Sequence, residues 1–301
     1  PDDDAACSEL AYGRVDVAAG QTFDDAIPAP QGESHGDRVD LVTVQAHRIT
    51  ASTSSITTLD PGSHLDLSGQ VRDGRLSWTA PAEPAGSWVV LATWRRGSGQ
   101  EPEAGPHTSP RSYVVDHFSE AGTEAVVDLW KDTILDKELR SLLRAAGGYL
   151  FEDSLEIESE ATIWTPKLLE EFRTRAGYDL EPFLPVVLEV DEAYRFALGT
   201  PGAPATTDAL RTNQVRDDFN QVLSDLYRDH HLLPMQRFAR SLGMGLRIQA
   251  YGLETDATEH SALLDIAETE SLGFKNLDDY RVMAGGRDIA QFRIGDGASS
   301  A

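Results

Sequence analysis

The sequence predicts an α/β chain. A region from about residue 111 onward, built on a parallel sheet with helical crossovers, follows a small β-rich module over residues 1–105 that has an acidic N-terminal end. Two observations carry this. The N-terminal third holds short runs rich in Val, Leu, Thr and Trp, separated by Gly, Pro and Ser. After Ser112 the apolar residues move to helical spacing, and short apolar runs alternate with those helices. Strand, helix, strand, helix with short joints is the pattern of parallel strands joined by right-handed crossovers.

In order along the chain, Arg38–Ile49, Ser63–Val71 and Gly86–Arg95 read as strands. Asp73-Gly74 supplies a turn, and Pro81 and Pro84 keep their loop out of a ladder. The Pro/Gly-rich stretch Gly97–Pro110 reads as a linker and marks the boundary. Tyr113–Val115 is a short apolar run ending at Asp116-His117. Ser119 then caps a helix with Val126, Val127, Trp130, Ile134 and Leu135 on one face, continuing through Leu139, Leu142 and Leu143 to a stop at Gly147-Gly148. Tyr149–Phe151 is a strand that runs into Glu152–Glu156. Thr165-Pro166 opens a helix that buries Leu168, Leu169 and Phe172 and ends at Gly177. A long helix covers about Asn213–Leu242, followed by a strand at Leu246–Ala250, a short helix near Ala257–Leu263, and a strand at Leu264–Ala267 that ends in Glu268-Thr269-Glu270.

Composition excludes several classes. The 301 residues carry a formal charge of −24, which repels nucleic acid and anionic membranes. No apolar run approaches the roughly 18–20 residues of a transmembrane helix. Cys7 is the single cysteine, so no internal disulfide forms. The chain begins at Pro1 and reads as a piece of something longer. No Gly-rich phosphate loop and no Gly-x-Ser-x-Gly elbow is present. His230-His231 has no His partner one helical turn away, which speaks against a zinc site there.

In a parallel α/β region, reactive groups collect where strands end. Asp116, then Asp153 with Glu156, then Glu268 with Glu270 stand at such places. Carboxylates converging from different strands suit glycosidic bond hydrolysis, in which one protonates the leaving oxygen and the other activates water or attacks carbon. Set against this, a chain with 50 acidic residues also places carboxylates on a solvated loop rim by chance. His117 either orients a sugar hydroxyl or caps the following helix. Gln249 and Tyr251 alternate along a strand end and therefore point to one side, toward substrate if that side is the mouth. Trp164 either stacks on a sugar ring or acts as a hydrophobic staple before Thr165.

The residues around these carboxylates carry a resemblance. FEDSLEIESEATIWTPKLLEEFRTRAGYDLEPFLP (Phe151–Pro185) resembles the D-S-x-E, W-T-P and G-Y-D-L…L-P segment of the bacterial α-L-rhamnosidases of glycoside hydrolase family 106. Val114–Trp130 resembles their V-D-H-x-S segment, Gly245–Phe274 their R-x-Q-x-Y-G segment with its downstream acidic motif, and Asp73–Trp94 the module that precedes them. The resemblance implies a (β/α)8 TIM-barrel-type catalytic domain, incomplete in this chain. It implies an inverting glycosidase acting on terminal α-L-rhamnosyl linkages, with a rhamnose-containing glycan or glycoside as substrate. It makes Glu156 a catalytic glutamate with Asp153 in support, and Glu270 or Glu268 the second carboxylate. Relatives carry Pro and Gly around the downstream glutamates where this chain has Ala267 and Thr269, which leaves the choice between those two open. Asp116, His117, Trp164, Gln249 and Tyr251 are the expected substrate contacts. The residues themselves require no cofactor, and the resemblance brings calcium as a candidate ion. An extracellular or periplasmic location follows from the resemblance, since polymeric glycans are met there. A retaining glycosidase of another specificity and a carbohydrate-binding remnant without catalysis stand as alternatives.

Overall fold

The structure, a computed structural model, describes residues 3–102, 111–190, 193–270 and 275–297. Most of the expected linker at Gly97–Pro110, from residue 103 on, lies outside the described residues. The strands of the N-terminal part are β1 (Ser8–Ala18), β2 (Thr22–Ala26), β3 (Val39–Ser52), β4 (Thr57–Leu59), β5 (Leu65–Asp66), β6 (Arg75–Thr79) and β7 (Ser87–Gly97). Then follow α1 (Glu120–Leu129), α2 (Lys137–Ala146), β8 (Tyr149–Glu152), β9 (Thr162–Trp164), α3 (Leu168–Ala176), β10 (Glu189–Val190), β11 (Ala193–Tyr194), β12 (Phe196–Leu198) and α4 (Ala205–Leu226). The chain continues with α5 (Leu233–Ser241), β13 (Gly245–Ile248), α6 (Ala257–Ser261), β14 (Ile266–Ala267) and α7 (Leu277–Gly297). It divides into two compact units, Pro1–Val114 with Glu158–Val222, and Val115–Ile157 with Leu223–Ala301.

The first unit is organised by a seven-stranded mixed sheet in the order β12-β4-β3-β7-β1-β9, with β5 paired to β3. Strand β7 is the centre, antiparallel to β1 over its whole length and to β3 on its other edge. It reads as a nearly continuous apolar run because both of its faces are covered: Trp88, Val89, Val90, Leu91 and Ala92 are all buried. Trp88, Val90 and Ala92 pack with Val17, Val44, Ala46, Leu76 and Trp78, and the Trp78 and Trp88 rings meet edge to face at 5.9 Å. The Asp73-Gly74 turn forms, with both residues at positive φ and Arg72 bonded to Arg75 on either side.

The second unit holds a three-stranded parallel sheet in the order β14-β13-β8, in which β8 and β13 pair from Tyr149↔Gly245 to Glu152↔Ile248. Ser119 caps α1 through the Gly122 N–H. The single helix expected over 119–143 is instead two, because Asp136 caps a fresh start by accepting from Leu139 N–H at 2.7 Å. A π-helical turn, Tyr227–Leu232, lies between α4 and α5.

These findings correct the expected (β/α)8 TIM-barrel-type domain. Among the described residues only three strands form a parallel sheet with helical crossovers. Other strands after residue 111 are drawn to the N-terminal sheet, where β9 pairs with β1 and β12 with β4. Tyr113–Val115 makes no barrel strand, because the Val114 backbone bonds to Cys7 and Gln100. Parallel sheets are ordinarily covered on both faces, yet Tyr149 and Phe151 on one face of β8 are 50% and 48% exposed. No helix among the described residues is long and apolar enough to cross a membrane.

Candidate functional site

The ends of β8, β13 and β14 carry most of the residues singled out by the sequence. Past Glu152 the chain leaves the sheet as an irregular loop anchored by buried Leu155 and Ile157. Asp153 accepts from the Ser154 N–H at 2.9 Å, and Glu156, which is exposed, accepts from the Ser154 hydroxyl at 2.7 Å. The Leu155 N–H donates to the Tyr251 carbonyl at 2.7 Å, tying this loop to the one that follows β13. Gly252 makes that approach possible. Its φ is 121°, and a Cβ there would sit 2.5 Å from the Leu155 oxygen.

On the neighbouring loop the Tyr251 hydroxyl donates to Gln249 Oε1 at 2.7 Å. Burial raises the Tyr251 phenol above its ordinary value, and the charges of Glu270, Asp153 and Glu268 push the same way. One phenol therefore lies within electrostatic reach of three carboxylates from two strand ends. Glu268 is paired with Arg247. Glu270 comes close enough for its backbone to hydrogen-bond the Tyr251 hydroxyl.

The remaining residues sit apart from this rim. Asp116 is fully buried and accepts from the Phe118 N–H at 2.9 Å, bracing the entry to α1. Trp164 belongs to β9 in the first unit and is 3% exposed, with its carbonyl accepting from Ser8. A hollow of about 400 Å³ between α1 and α5, lined by residues such as Glu124, Lys131 and Arg237, contains none of the carboxylates named above.

His117 stands in a second cluster, together with two residues that local spacing did not single out. His231 Nε2 lies 2.6 Å from Glu152 Oε1, His117 Nε2 lies 3.7 Å from the same oxygen, and the two rings are 4.5 Å apart. Thr123 Oγ1 meets His231 Nδ1 at 2.8 Å. Tyr227 stacks on His231 at 5.5 Å with ring planes 11° apart, as the π turn brings these two side chains together. Burial, and then His231, lower His117 to about 4. Burial pushes Glu152 up, but the His231 charge and hydrogen bond, with His117 beside them, hold it below its ordinary value. The signal for Glu152 was its place at a strand end directly before Asp153. His231 carried no comparable signal, because its partners are on other elements.

Among the described residues this is the one set in which three ligand-bearing side chains of these types converge. Calcium takes six to eight oxygen ligands, and two imidazoles do not fit it.

The profile of glycoside hydrolase family 106, described as alpha-L-rhamnosidase, matches residues 33–266. Among solved structures, one titled as a rhamnosidase from Novosphingobium sp. PP1Y is similar with a TM-score of 0.64 at 16% identity, over 87% of this chain and 39% of that one. The likeness to that structure is one of fold, and this chain spans well under half of its length. No curated protein matches the sequence.

Proposed function

From the premise that the chain belongs to glycoside hydrolase family 106, we propose that it carries the carboxylates of an α-L-rhamnosidase acting on terminal rhamnosyl linkages with inversion. The observation that supports this most is the Tyr251 hydroxyl, which senses Glu270, Asp153 and Glu268 at once. Its backbone is also bonded to the loop that carries Glu156. Two strand ends thus contribute carboxylates to one rim.

In this reading Glu156 is one member of the pair and Glu270 the other, because Glu268 is committed to Arg247. One glutamate gives its proton to the glycosidic oxygen as the bond to the anomeric carbon breaks. The other takes a proton from the water that attacks the opposite face of the ring. Asp153 positions the loop. The Tyr251 phenol stays protonated, donating to Gln249 Oε1, and its oxygen accepts from a sugar hydroxyl, while the Gln249 amide nitrogen donates to another. A location outside the cytoplasm goes with such a substrate.

Glu156→Gln and Glu270→Gln are expected to lower kcat on an aryl rhamnoside by about 10²–10⁴-fold while sugar affinity stays within a few-fold. Proton NMR of the first product should show β-rhamnose. Unchanged turnover in either variant removes that residue from the pair, and α-rhamnose as the first product points to retention.

A further inference from the structure

We propose that His117, Glu152 and His231 bind one divalent transition-metal ion, with zinc as the ion their chemistry fits best. The ligand atoms of all three lie within 4.8 Å of one another. Two imidazoles and one carboxylate are a zinc set that leaves a fourth position for water. Thr123 at Nδ1 fixes the His231 ring, so that Nε2 is the atom directed at Glu152. A hydrogen bond on the far nitrogen is the usual support of a ligating histidine. The side chains of His117 and Glu152 are 17% and 23% exposed, which gives an ion a path in, while His231 is 2% exposed.

A second observation comes from a neighbouring side chain. The Tyr227 hydroxyl is buried, has no hydrogen-bond partner among the described residues, and feels the charge of Glu152. A buried hydroxyl without a partner is costly, and a water in the fourth metal position would satisfy it. The π turn that carries Tyr227 and His231 is a rare form of helix that occurs frequently at functional sites.

Binding requires small movements. Zinc ligands stand about 2.0–2.1 Å from the metal, so His117 must draw inward and the His231–Glu152 contact must open slightly. The ligating form of His231 carries its proton on Nδ1, toward Thr123 Oγ1, which leaves the Nε2 lone pair for the ion. The bound ion would join the entry to α1, the end of β8 and the π turn, and Glu152 directly precedes Asp153. The alternative is a closed hydrogen-bond network that takes no metal.

The test uses the 301-residue chain without a polyhistidine tag, stripped with a chelator and titrated with zinc chloride by calorimetry. Cobalt(II) absorption reports the coordination number. The expected result is one zinc per chain, cobalt bands of a four- or five-coordinate ion, and affinity at least about tenfold weaker in Glu152→Gln and His117→Gln. If Glu152→Gln fails to fold, His117→Gln, changed at a partly exposed ring, carries the comparison. No stoichiometric zinc binding, or a folded His117→Gln that binds as tightly as the parent, overturns the proposal. The readout is ion binding, so loss of the rhamnosidase reading leaves it standing.

Discussion

Each unit encloses a glutamate among polar partners, and the two are held in opposite ways. In the first unit Glu9 is fully buried, and one of its oxygens accepts from Arg96 Nε at 2.8 Å. The other accepts from the N–H groups of Glu160 and Ala161. Its partners are a permanent cation and backbone amides, none of which can release it. In the second unit Glu152 keeps some exposure, and its partners are two imidazole rings rather than a fixed cation. A carboxylate whose lone pairs face fixed donors holds a fold together, whereas one that faces imidazoles, whose ring nitrogens can also ligate a metal, can exchange what it binds.

The histidine pairs repeat the contrast. His47 and His64 stand 5.2 Å apart in the first unit, but His47 Nε2 meets the neutral Gln45 side chain. That pair has the rings of the second cluster without the central carboxylate, and the metal proposal excludes it for that reason.

The largest expected effect tests the fixed side. Glu9→Ala leaves Arg96 charged and buried, and should cost about 3–5 kcal/mol in urea unfolding. A loss below about 1 kcal/mol would put Glu9 in the same class as an exposed ion pair.

Acidification gives the next effect, with the same sign in both units. His117 is lowered from 6.5 to about 4 and His47, first by burial, to about 3. Both rings are held neutral in the fold and protonate more readily when unfolded. Their stabilisation is therefore complete above pH 6.5 and declines as pH falls toward those values, by up to a few kcal/mol each. Urea midpoints from pH 7.5 to 4.5 in chelator should fall accordingly, and NMR should show neither ring titrating near 6.5. A ring that titrates there is not buried as described.

The smallest effect concerns Tyr227. In the metal-free protein Tyr227→Phe removes a hydroxyl that has no partner among the described residues and should change stability by less than about 1 kcal/mol. A clear loss would reveal a partner for that hydroxyl and weaken the contrast between a saturated and an unsaturated site.

Much of the local structure was legible because it depends on neighbours in sequence. Ser119 caps α1, Gly147 ends α2 at positive φ, and Asp73-Gly74 turns the chain, each through interactions that span a few residues. The run Glu152–Glu156 announced a strand end rich in carboxylates for the same reason. The strand pairing was not legible in this way, and the expected barrel did not form among the described residues. The alternation of strand and helix is compatible with several sheet pairings, and the period of a strand does not name its partner.

By itself, then, the sequence determined the Ser119 cap and the Gly147 stop, the Asp73-Gly74 turn, the acidic balance and the D-S-x-E segment that marks the family, whereas α3 starts from Lys167 and not from the expected Thr165. Tertiary structure alone decided that residues 162–164 join the strand at 8–10 and that His231 meets Glu152 across 79 positions. Caps and turns are set by hydrogen bonds within one or two turns of chain. Strand partners and side-chain clusters are instead set by which apolar surfaces bury together, a quantity that belongs to the whole packed chain and to no segment of it.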